Sequence, residues 1–221
     1  YGFSLVYSGS FAAQVEVDQY ETTRVVMGLN PFDFSWLLEP GQAFQTPEAV
    51  MVFSAEGLGG MSRRYHKLYR TRLCRGAFRD AVRPVLVNNW EATYFNFNAE
   101  KIEQIAKEGR NLGIELFVLD DGWFGKRNDD TTSLGDWVVD RNKLPDGLED
   151  LVQRVTNLNM QFGLWFEPEM VSPDSDLYRL HPDWCLHVPD RRRTEGRRQL
   201  ILEFSREDVC DAVAGMVRDI L

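Results

Sequence analysis

Carboxylates and indoles follow three short apolar runs of the sequence, and these residue types could bind a neutral polyol such as a sugar. The three ends read Asn88 to Glu91, Asp120 to Trp123, and Trp165 to Glu169. Carboxylates accept hydrogen bonds from hydroxyl groups, and indole faces cover apolar C–H surfaces. An isolated Asp after a strand is more often a turn former, and an isolated Trp is more often core. Three such ends in one chain favour a binding site.

The elements that must position these residues alternate between strand and helix. Residues 84–87, 114–119 and 160–166 are apolar runs typical of buried strands, and helical stripes begin at Ile102 and Leu148. The order β–α–β–α–β predicts a parallel sheet, either doubly wound or closed as a barrel. Ligands of such sheets bind at the carboxyl ends of the strands, so the three polar ends are expected at one edge.

Two connecting segments of this part carry weaker patterns. Residues 122–145 are rich in polar and turn residues, which predicts a long polar loop. Ser205, with Asp208 three residues later, resembles a capping box before a final helix.

The first part of the chain has a different rhythm. Residues 1–7, 14–17, 23–29 and 49–54 are short runs rich in β-branched and aromatic residues, which predicts antiparallel strands too few for a complete sandwich. Glycines at 57, 59 and 60 break this pattern, and Met61 to Arg72 has the spacing of one helix face. A domain boundary is predicted near residue 80.

Composition excludes several functions. The net charge of −9 disfavours nucleic acid as a partner, and no apolar run reaches the length of a membrane span. No phosphate-binding glycine motif is present, and His66, His181 and His187 lack ligand spacing, so neither a cofactor nor a metal is expected. Three cysteines without C-x-x-C spacing, and no signal peptide, indicate a cytoplasmic location.

The two ends of the sequence suggest a fragment. The chain opens without Met in a strand-like run and stops at Leu221 within a helical pattern. We therefore expect these 221 residues to be part of a longer protein.

Five motifs occur in order along the chain. They are Asn89-Trp90-Glu91-Ala92-Thr93-Tyr94-Phe95, Leu119-Asp120-Asp121-Gly122-Trp123-Phe124, Gly135-Asp136-Trp137, Gly163-Leu164-Trp165-Phe166-Glu167-Pro168-Glu169-Met170 and Gly196-Arg197-Arg198-Gln199-Leu200. With these motifs the sequence resembles the α-galactosidases of glycoside hydrolase family 36, whose typical substrates are raffinose-type oligosaccharides. The resemblance covers at least residues 50–221. It departs from the family at Arg198, where Asn is usual, and at Glu203, where Asp is usual.

The resemblance implies an α/β fold: a partial (β/α)8 TIM barrel preceded by strands from the end of a β-sandwich domain. Residues 1–56 would end the N-terminal β-sandwich domain, and residues 57–80 would form a connecting helix. Residues 81–221 would contain the first strands and helices of the catalytic barrel.

Roles in substrate binding follow from the resemblance position by position. Trp90 and Trp165 would line a galactose pocket. Asp120 and Asp121 would hold sugar hydroxyls and select galactose by its axial 4-hydroxyl, and Arg197 would contact the sugar or the region of the nucleophile. Glu167 is given no definite role. The partner would be a galactose-containing oligosaccharide, and a homo-oligomer is a possible assembly.

The implied activity is hydrolysis of terminal non-reducing α-D-galactosyl residues by a retaining double displacement. The family's nucleophile is the Asp of a Lys-Trp-Asp motif on strand four, and its acid/base is an Asp on a later strand. Neither motif occurs here, so no catalytic residue is expected within the chain, both are expected after Leu221, and the fragment alone is predicted to be inactive.

Three alternatives remain open. Asp121 could form a catalytic pair with Glu167 or Glu169, because retaining glycosidases need two nearby carboxylates. The parent could be a galactosyltransferase of the raffinose pathway, with a sugar acceptor replacing water. The chain could also be a non-catalytic sugar-binding module, although an open parallel sheet with uncovered edges makes a poor one.

Overall fold

The computed structural model describes residues 1–32 and 34–221. The chain divides into two compact units, residues 1–82 and residues 83–221.

The described residues of the first unit form four strands in two antiparallel pairs. The strands are β1 (Gly2–Val6), β2 (Phe11–Val17), β3 (Thr23–Leu29) and β4 (Glu48–Val52). Strand β1 pairs with β4, and β2 pairs with β3 with Val15 opposite Val25. The antiparallel strands predicted from the β-branched runs are confirmed, and β2 begins at Phe11, earlier than the sequence pattern indicated.

A helix follows these strands in the same unit. Helix α1 (Gly57–Leu68) continues into one wide π-helical turn, Tyr69–Leu73. The glycines at its start belong to the helix itself, and Gly60 is the buried one. A Cβ at Gly60 would lie 2.6 Å from the Cβ of Glu56, so only glycine allows this close approach at the first turn.

The second unit is built on a three-stranded parallel sheet. In chain order its first elements are β5 (Leu86–Asn88), α2 (Trp90–Thr93), α3 (Ala99–Asn111), β6 (Leu116–Leu119), α4 (Gly147–Thr156) and β7 (Gln161–Leu164). The strand order is β5-β6-β7, with β6 in the centre. The predicted β–α–β–α–β order is therefore confirmed. It is the arrangement with which a (β/α)8 barrel begins.

Helix α3 shows how the sequence defines one of these elements. Asn98 is its N-cap, and the Asn98 side chain accepts a hydrogen bond of 3.0 Å from the backbone N–H of Lys101. Ile102 and Ala106 lie on the buried face of the helix. Gly113 follows the helix with φ of +88°, a conformation that glycine adopts without steric cost.

The core of this unit lies between the sheet and its helices. Phe117 and Leu119 on the central strand are fully buried, as are Ile102, Leu151 and Val155 on helices α3 and α4. Burying one such side chain stabilises the fold by about 1.5 to 3 kcal/mol. The sheet thus provides a rigid base for the residues that follow each strand.

The segment from residue 122 to residue 145, all of which the structure describes, contains no helix or strand, so the predicted long loop is confirmed, but its apolar side chains are packed into a core that the sequence pattern did not predict. Trp123, Phe124, Leu134, Trp137 and Leu144 are each at most 5% exposed. Their rings contact one another, with the Phe124 and Trp137 centroids 4.5 Å apart. Single apolar residues separated by polar turns have no helix or strand period, and the sequence pattern therefore missed this core.

The chain after β7 forms a smaller substructure. Its elements are β8 (Met170–Val171), α5 (Asp176–Leu180), a 3-10 turn (Pro182–Trp184), β9 (Leu200–Ile201) and α6 (Glu207–Ile220). Strand β8 pairs antiparallel with β9.

The capping box predicted at the start of the last helix is wrong. Helix α6 has Arg206 as its N-cap, with no side-chain capping bond. The Ser205 hydroxyl donates to Glu203, and Asp208 forms an ion pair with Arg206. Within the residues that the structure describes, no helix is both long enough and apolar enough to span a membrane.

Candidate functional site

Asn88, the last residue of β5, connects two of the predicted site residues. Its side-chain Nδ2 donates to Oδ2 of Asp120 at the end of the neighbouring strand β6. Its Oδ1 accepts a hydrogen bond of 2.7 Å from the backbone N–H of Trp90. One amide side chain therefore sets the relative positions of Trp90 and Asp120.

Asn89 is a second side chain that joins the ends of β5 and β6. It is fully buried, and its Oδ1 accepts a bond of 2.8 Å from the backbone N–H of Asp120. Its Nδ2 donates to the hydroxyl of Thr93 at 2.8 Å. A buried amide with its main polar atoms paired is rigid, because leaving either atom unpaired costs about 1 to 3 kcal/mol.

Asp120 retains hydrogen-bonding capacity. It is partly exposed, and its Oδ1 accepts a bond of 2.7 Å from the backbone N–H of Asp121. The bond from Asn88 occupies one position on the other oxygen. A carboxylate offers about four acceptor positions, so Asp120 can accept hydrogen bonds from a ligand as well.

Asp121 is held in a buried ion pair. Nε and Nη2 of Arg127 donate to its two carboxylate oxygens, each at 2.8 Å. Arg127 is fully buried and Asp121 is 6% exposed. Each oxygen of a carboxylate bound in this two-bond manner keeps one further acceptor position. The ion pair fixes the plane of the carboxylate and removes most of it from solvent.

A second buried cation lies beside this ion pair. The Lys143 ammonium donates to the carbonyls of Gly122 and Arg127, each at 2.7 Å, and lies 5.1 Å from the ring centroid of Phe97. Burial lowers the pKa of Lys143 below its ordinary value, an effect that the charges of Asp140 and Asp121 oppose. Lys143 therefore holds the backbone on either side of residues 123–126.

The two tryptophans are held by different neighbours. The backbone N–H of Trp165 donates to the Leu119 carbonyl at 2.9 Å, and the Trp165 carbonyl accepts from Nε1 of Trp123 at 3.0 Å. The Trp90 ring makes edge contacts with Tyr94 and Phe95, with centroids 5.2 and 5.0 Å apart. Trp90 and Trp165 both remain partly exposed, as an indole that contacts a ligand must.

Arg197 is held by Glu167. Its Nη2 donates to Oε1 of Glu167 at 2.5 Å, while the Arg197 side chain remains 58% exposed. The other oxygen, Oε2 of Glu167, is buried without a partner among the described residues. Burial raises the pKa of the Glu167 carboxyl above 4.5, an effect that the Arg197 guanidinium opposes and Glu169 reinforces.

A tight turn presents Arg197. The backbones of Gly196 and Gln199 exchange two hydrogen bonds, of 3.2 and 2.8 Å. The residues between them, Arg197 and Arg198, have φ of +52° and +56°. Two consecutive residues with positive φ are typical of a type I′ hairpin turn, which favours Asn and Gly and costs energy with other residues.

The Gly135-Asp136-Trp137 motif has a structural role here. The two oxygens of Asp136 accept hydrogen bonds of 3.0 Å from the backbone N–H groups of Asp176 and Leu177, at the start of helix α5. Trp137 belongs to the buried aromatic cluster described above. Burial raises the pKa of Asp136, and the two backbone bonds act in the opposite direction.

The structure thus brings Trp90 and Asp120 together and places Asp121 and Trp165 on the adjoining strand ends. Arg197 lies on a turn beyond them. Asn88 stood in the first predicted strand end without a role of its own, and two other residues that organise this site, Arg127 and Lys143, were not predicted. Arg127 had no detectable signal, because one arginine in a run of polar residues normally indicates a solvated loop.

The arrangement suits a neutral hydroxylated ligand more than in-chain catalysis. Both oxygens of Asp121 are bound to Arg127, and Oε1 of Glu167 is bound to Arg197. A carboxylate held in this way is a poor nucleophile, which disfavours the alternative pair of Asp121 with Glu167. Within the described residues no group of three or more His, Cys, Asp or Glu side chains could hold a metal ion.

Comparison with known protein families assigns both parts of the chain. The family model described as Melibiase matches residues 43–221. The model described as the glycosyl hydrolase family 36 N-terminal domain matches residues 1–39.

Similar curated proteins carry α-galactosidase names. The chain is 67% identical to alpha-galactosidase AgaA of Geobacillus stearothermophilus over 221 residues, which are 100% of this chain and 30% of that protein. It is 50% identical to an alpha-galactosidase of Lactobacillus acidophilus over 213 residues, 96% of this chain and 29% of that protein. The chain therefore spans about 30% of the length of the relatives it matches.

Solved structures agree with these sequence relationships. The crystal structure of AgaA superimposes with a TM-score of 0.95 at 67% identity, over 99% of this chain and 30% of that one. An AgaA variant in complex with raffinose gives a TM-score of 0.94 at 66% identity, with the same coverage. Another AgaA variant was solved in complex with stachyose. These matches confirm the α/β fold, with strands of the N-terminal domain followed by the start of the catalytic barrel. The chain belongs to the Melibiase family, as its resemblance to the glycoside hydrolase family 36 α-galactosidases indicated.

Proposed function

We propose that the full-length protein containing this chain hydrolyses terminal non-reducing α-D-galactosyl residues. The observation that carries the proposal is the junction of Trp90 and Asp120 through Asn88, at the carboxyl edge of a parallel sheet. Family membership over residues 43–221 supports the same activity. Sites of (β/α)8 enzymes lie at this edge of the sheet.

Each predicted site residue has a proposed contact with the sugar. The Trp90 and Trp165 rings would cover C–H faces, and Asp120 would accept hydrogen bonds from ring hydroxyls. Asp121 would use the acceptor positions that Arg127 leaves open. Arg197, which is exposed and fixed by Glu167, would donate to the sugar or to the region of the nucleophile.

The proposed substrates are galactose-containing oligosaccharides of the raffinose and melibiose type. The raffinose and stachyose complexes of the Geobacillus relative support this class. The proposed mechanism is a retaining double displacement, which requires a carboxylate nucleophile and a carboxyl acid/base. Because the Lys-Trp-Asp motif is absent from these 221 residues, we propose that the chain alone does not turn over substrate.

A comparison of two proteins and two substrates tests this proposal. The full-length protein and the 221-residue chain would each be assayed on an aryl α-galactoside and on its β-anomer. Hydrolysis of only the α-anomer by only the full-length protein is the expected result. Turnover by the 221-residue chain would instead identify a catalytic pair within it, and cleavage of only the β-anomer by the full-length protein would exclude an α-galactosidase.

We also propose that the full-length protein is cytoplasmic and forms a homo-oligomer. Cys74, Cys185 and Cys210 are all free thiols, which supports a reducing compartment and hence a cytoplasmic location. Exposed apolar side chains such as Phe32 and Trp36 in the first unit support further packing partners, including a second copy of the protein. Fractionation of the source cells and light scattering of the full-length protein test these two points.

A further inference from the structure

The Arg127–Asp121 ion pair is buried, and Arg127 makes three hydrogen bonds in it and around it. The guanidinium makes two bonds of 2.8 Å to Asp121 and a third, from Nη1, to the Thr132 carbonyl at 2.9 Å. Removing both charges from water is costly, and well-packed apolar residues at such positions are often equally stable or more stable. Stability alone therefore does not explain why the two charges are buried here, and a role in the binding site is a second explanation.

We propose that Arg127 is a positioning residue for sugar recognition, one that orients the Asp121 carboxylate at the carboxyl end of β6. This inference rests on the proposed function, because it names the residue that orients one of the hydroxyl-binding groups. A planar guanidinium with two parallel bonds fixes both the direction and the tilt of a carboxylate, which a lysine cannot do. The open acceptor positions of Asp121 then have one defined direction.

The orientation extends to the second aspartate. The Asp121 backbone N–H donates to Oδ1 of Asp120 at 2.7 Å, and Asn88 binds the other oxygen of Asp120. The Asp120 carboxylate and the Asp121 backbone therefore form one hydrogen-bonded unit, which Asn88 binds through Asp120 and Arg127 binds through the Asp121 carboxylate. Recognition of a single hydroxyl stereocentre needs such a unit, because a mobile carboxylate could accept a hydrogen bond from the hydroxyl of either epimer.

The surroundings of Arg127 keep it in place. Its guanidinium carbon lies 5.9 Å from the Phe95 ring centroid and 5.8 Å from that of Phe124. The Lys143 ammonium donates a hydrogen bond of 2.7 Å to the Arg127 carbonyl. Side chain and backbone of Arg127 are thus both anchored, while Asp121 is the only carboxylate among the described residues with which it forms an ion pair.

Four variants of the full-length protein test this role. They are Arg127→Lys, which keeps the charge and loses the two-bond geometry; Arg127→Met; the double variant Arg127→Met/Asp121→Asn, which removes both buried charges; and Arg154→Lys as a matched control. Arg154 also binds carboxylates, Asp150 at 2.6 Å and Glu103 at 3.1 Å, but it does so on helix α4.

The measurements are kcat and KM on an aryl α-galactoside, inhibition by free galactose and by its 4-epimer glucose, and thermal unfolding. Loss of a charge-assisted bond should raise KM of Arg127→Lys about tenfold and lower its preference for galactose over glucose by a similar factor, with a smaller change in kcat. The double variant also loses the Asp121 carboxylate and should lose at least as much of the preference, even if it unfolds at the temperature of the unmodified protein. Arg154→Lys should stay within about twofold of the unmodified protein in both values.

Other outcomes overturn the inference. Arg127 has only a structural role if Arg127→Lys keeps the galactose preference within about twofold of the unmodified protein. If Arg127→Met does not fold, the other two Arg127 variants decide. If the unmodified protein does not hydrolyse α-galactosides, the proposed function fails, and calorimetry with galactose then decides the inference separately. If galactose binds the unmodified protein and not Arg127→Lys, the role of Arg127 in sugar recognition stands. If galactose does not bind the unmodified protein, that role is refuted.

Discussion

Replacement of Asn88 tests the junction between β5 and β6 directly. Asn88→Asp keeps the shape of the side chain and the acceptor for the Trp90 N–H, which it binds at 2.7 Å. It replaces the donor to Asp120 with a second carboxylate oxygen. Asn88→Ala removes both interactions. The pair of variants separates the bond to Asp120 from the bond to Trp90.

The expected magnitudes follow from these two bonds. A hydrogen bond to a charged group contributes about 1.5 to 3 kcal/mol, and a neutral one about 0.5 to 1.5 kcal/mol. In Asn88→Asp the lost bond is joined by repulsion between two carboxylates, about 4 kcal/mol at 4 Å under an effective dielectric constant of 20. We therefore expect kcat/KM to fall at least about tenfold in Asn88→Ala and about a hundredfold or more in Asn88→Asp.

The assay is hydrolysis of an aryl α-galactoside by the full-length protein, with thermal unfolding recorded for each variant. Asn128→Ala is the control, because Asn128 is exposed and its one side-chain bond, to the Lys126 carbonyl, is 3.4 Å long. The reasoning is refuted if Asn88→Asp retains kcat/KM within about twofold of the unmodified protein. It is also refuted if Asn88→Asp is more active than Asn88→Ala, since repulsion then plays no part.

Three further predictions concern Glu167, Arg198 and Trp123. Burial raises the pKa of Glu167 in the folded protein above 4.5. At pH values between the unfolded and the folded pKa, the folded protein therefore binds a proton that the unfolded chain has released. The contribution of Glu167 to stability decreases as pH rises through the folded pKa. Urea unfolding should therefore show the stability of the unmodified protein relative to Glu167→Gln falling from pH 4.5 to neutral pH; a rise would contradict the burial argument. Arg198→Asn should raise the free energy of urea unfolding by about 0.5 to 1 kcal/mol, since Asn tolerates the positive φ at this turn position; no gain would mean that the turn is unstrained. Trp123→Phe leaves a cavity at a fully buried site and removes the bond of 3.0 Å to the Trp165 carbonyl, and should lower that free energy by about 2 to 4 kcal/mol; a loss below about 1 kcal/mol would show that the site collapses around the smaller ring.

Much of the second unit was predictable because its signals are local. The cap at Asn98, the stripe from Ile102 and the stop at Gly113 lie within one helix, and each follows from nearest-neighbour geometry. The central strand was visible as an apolar run because both its faces are covered. Placement of Asp120 and Trp90 at one edge followed from the parallel order alone.

The packed segment from residue 122 to residue 145 shows where local reasoning ends. Trp123 and Trp137 are fourteen positions apart, yet their ring centroids lie 6.1 Å from each other. No short-range period connects them, so their burial depends on how the chain folds back over the strand ends. The same holds for Gln199, which is fully buried although it follows a run of exposed arginines.

Residue types, their spacing and the strand order determined the family, the parallel sheet and the edge at which the site lies. Polar pairs that no helix or strand period encodes were decided only by the tertiary structure: Arg127 with Asp121, Asn88 with Asp120, and Glu167 with Arg197. The physical reason is that helix and strand periods encode which face of a segment is buried, whereas the partner of a polar side chain depends on the path of the whole chain. Two aspartates adjacent in the sequence thus differ in the structure, Asp120 partly exposed and Asp121 locked in a buried ion pair.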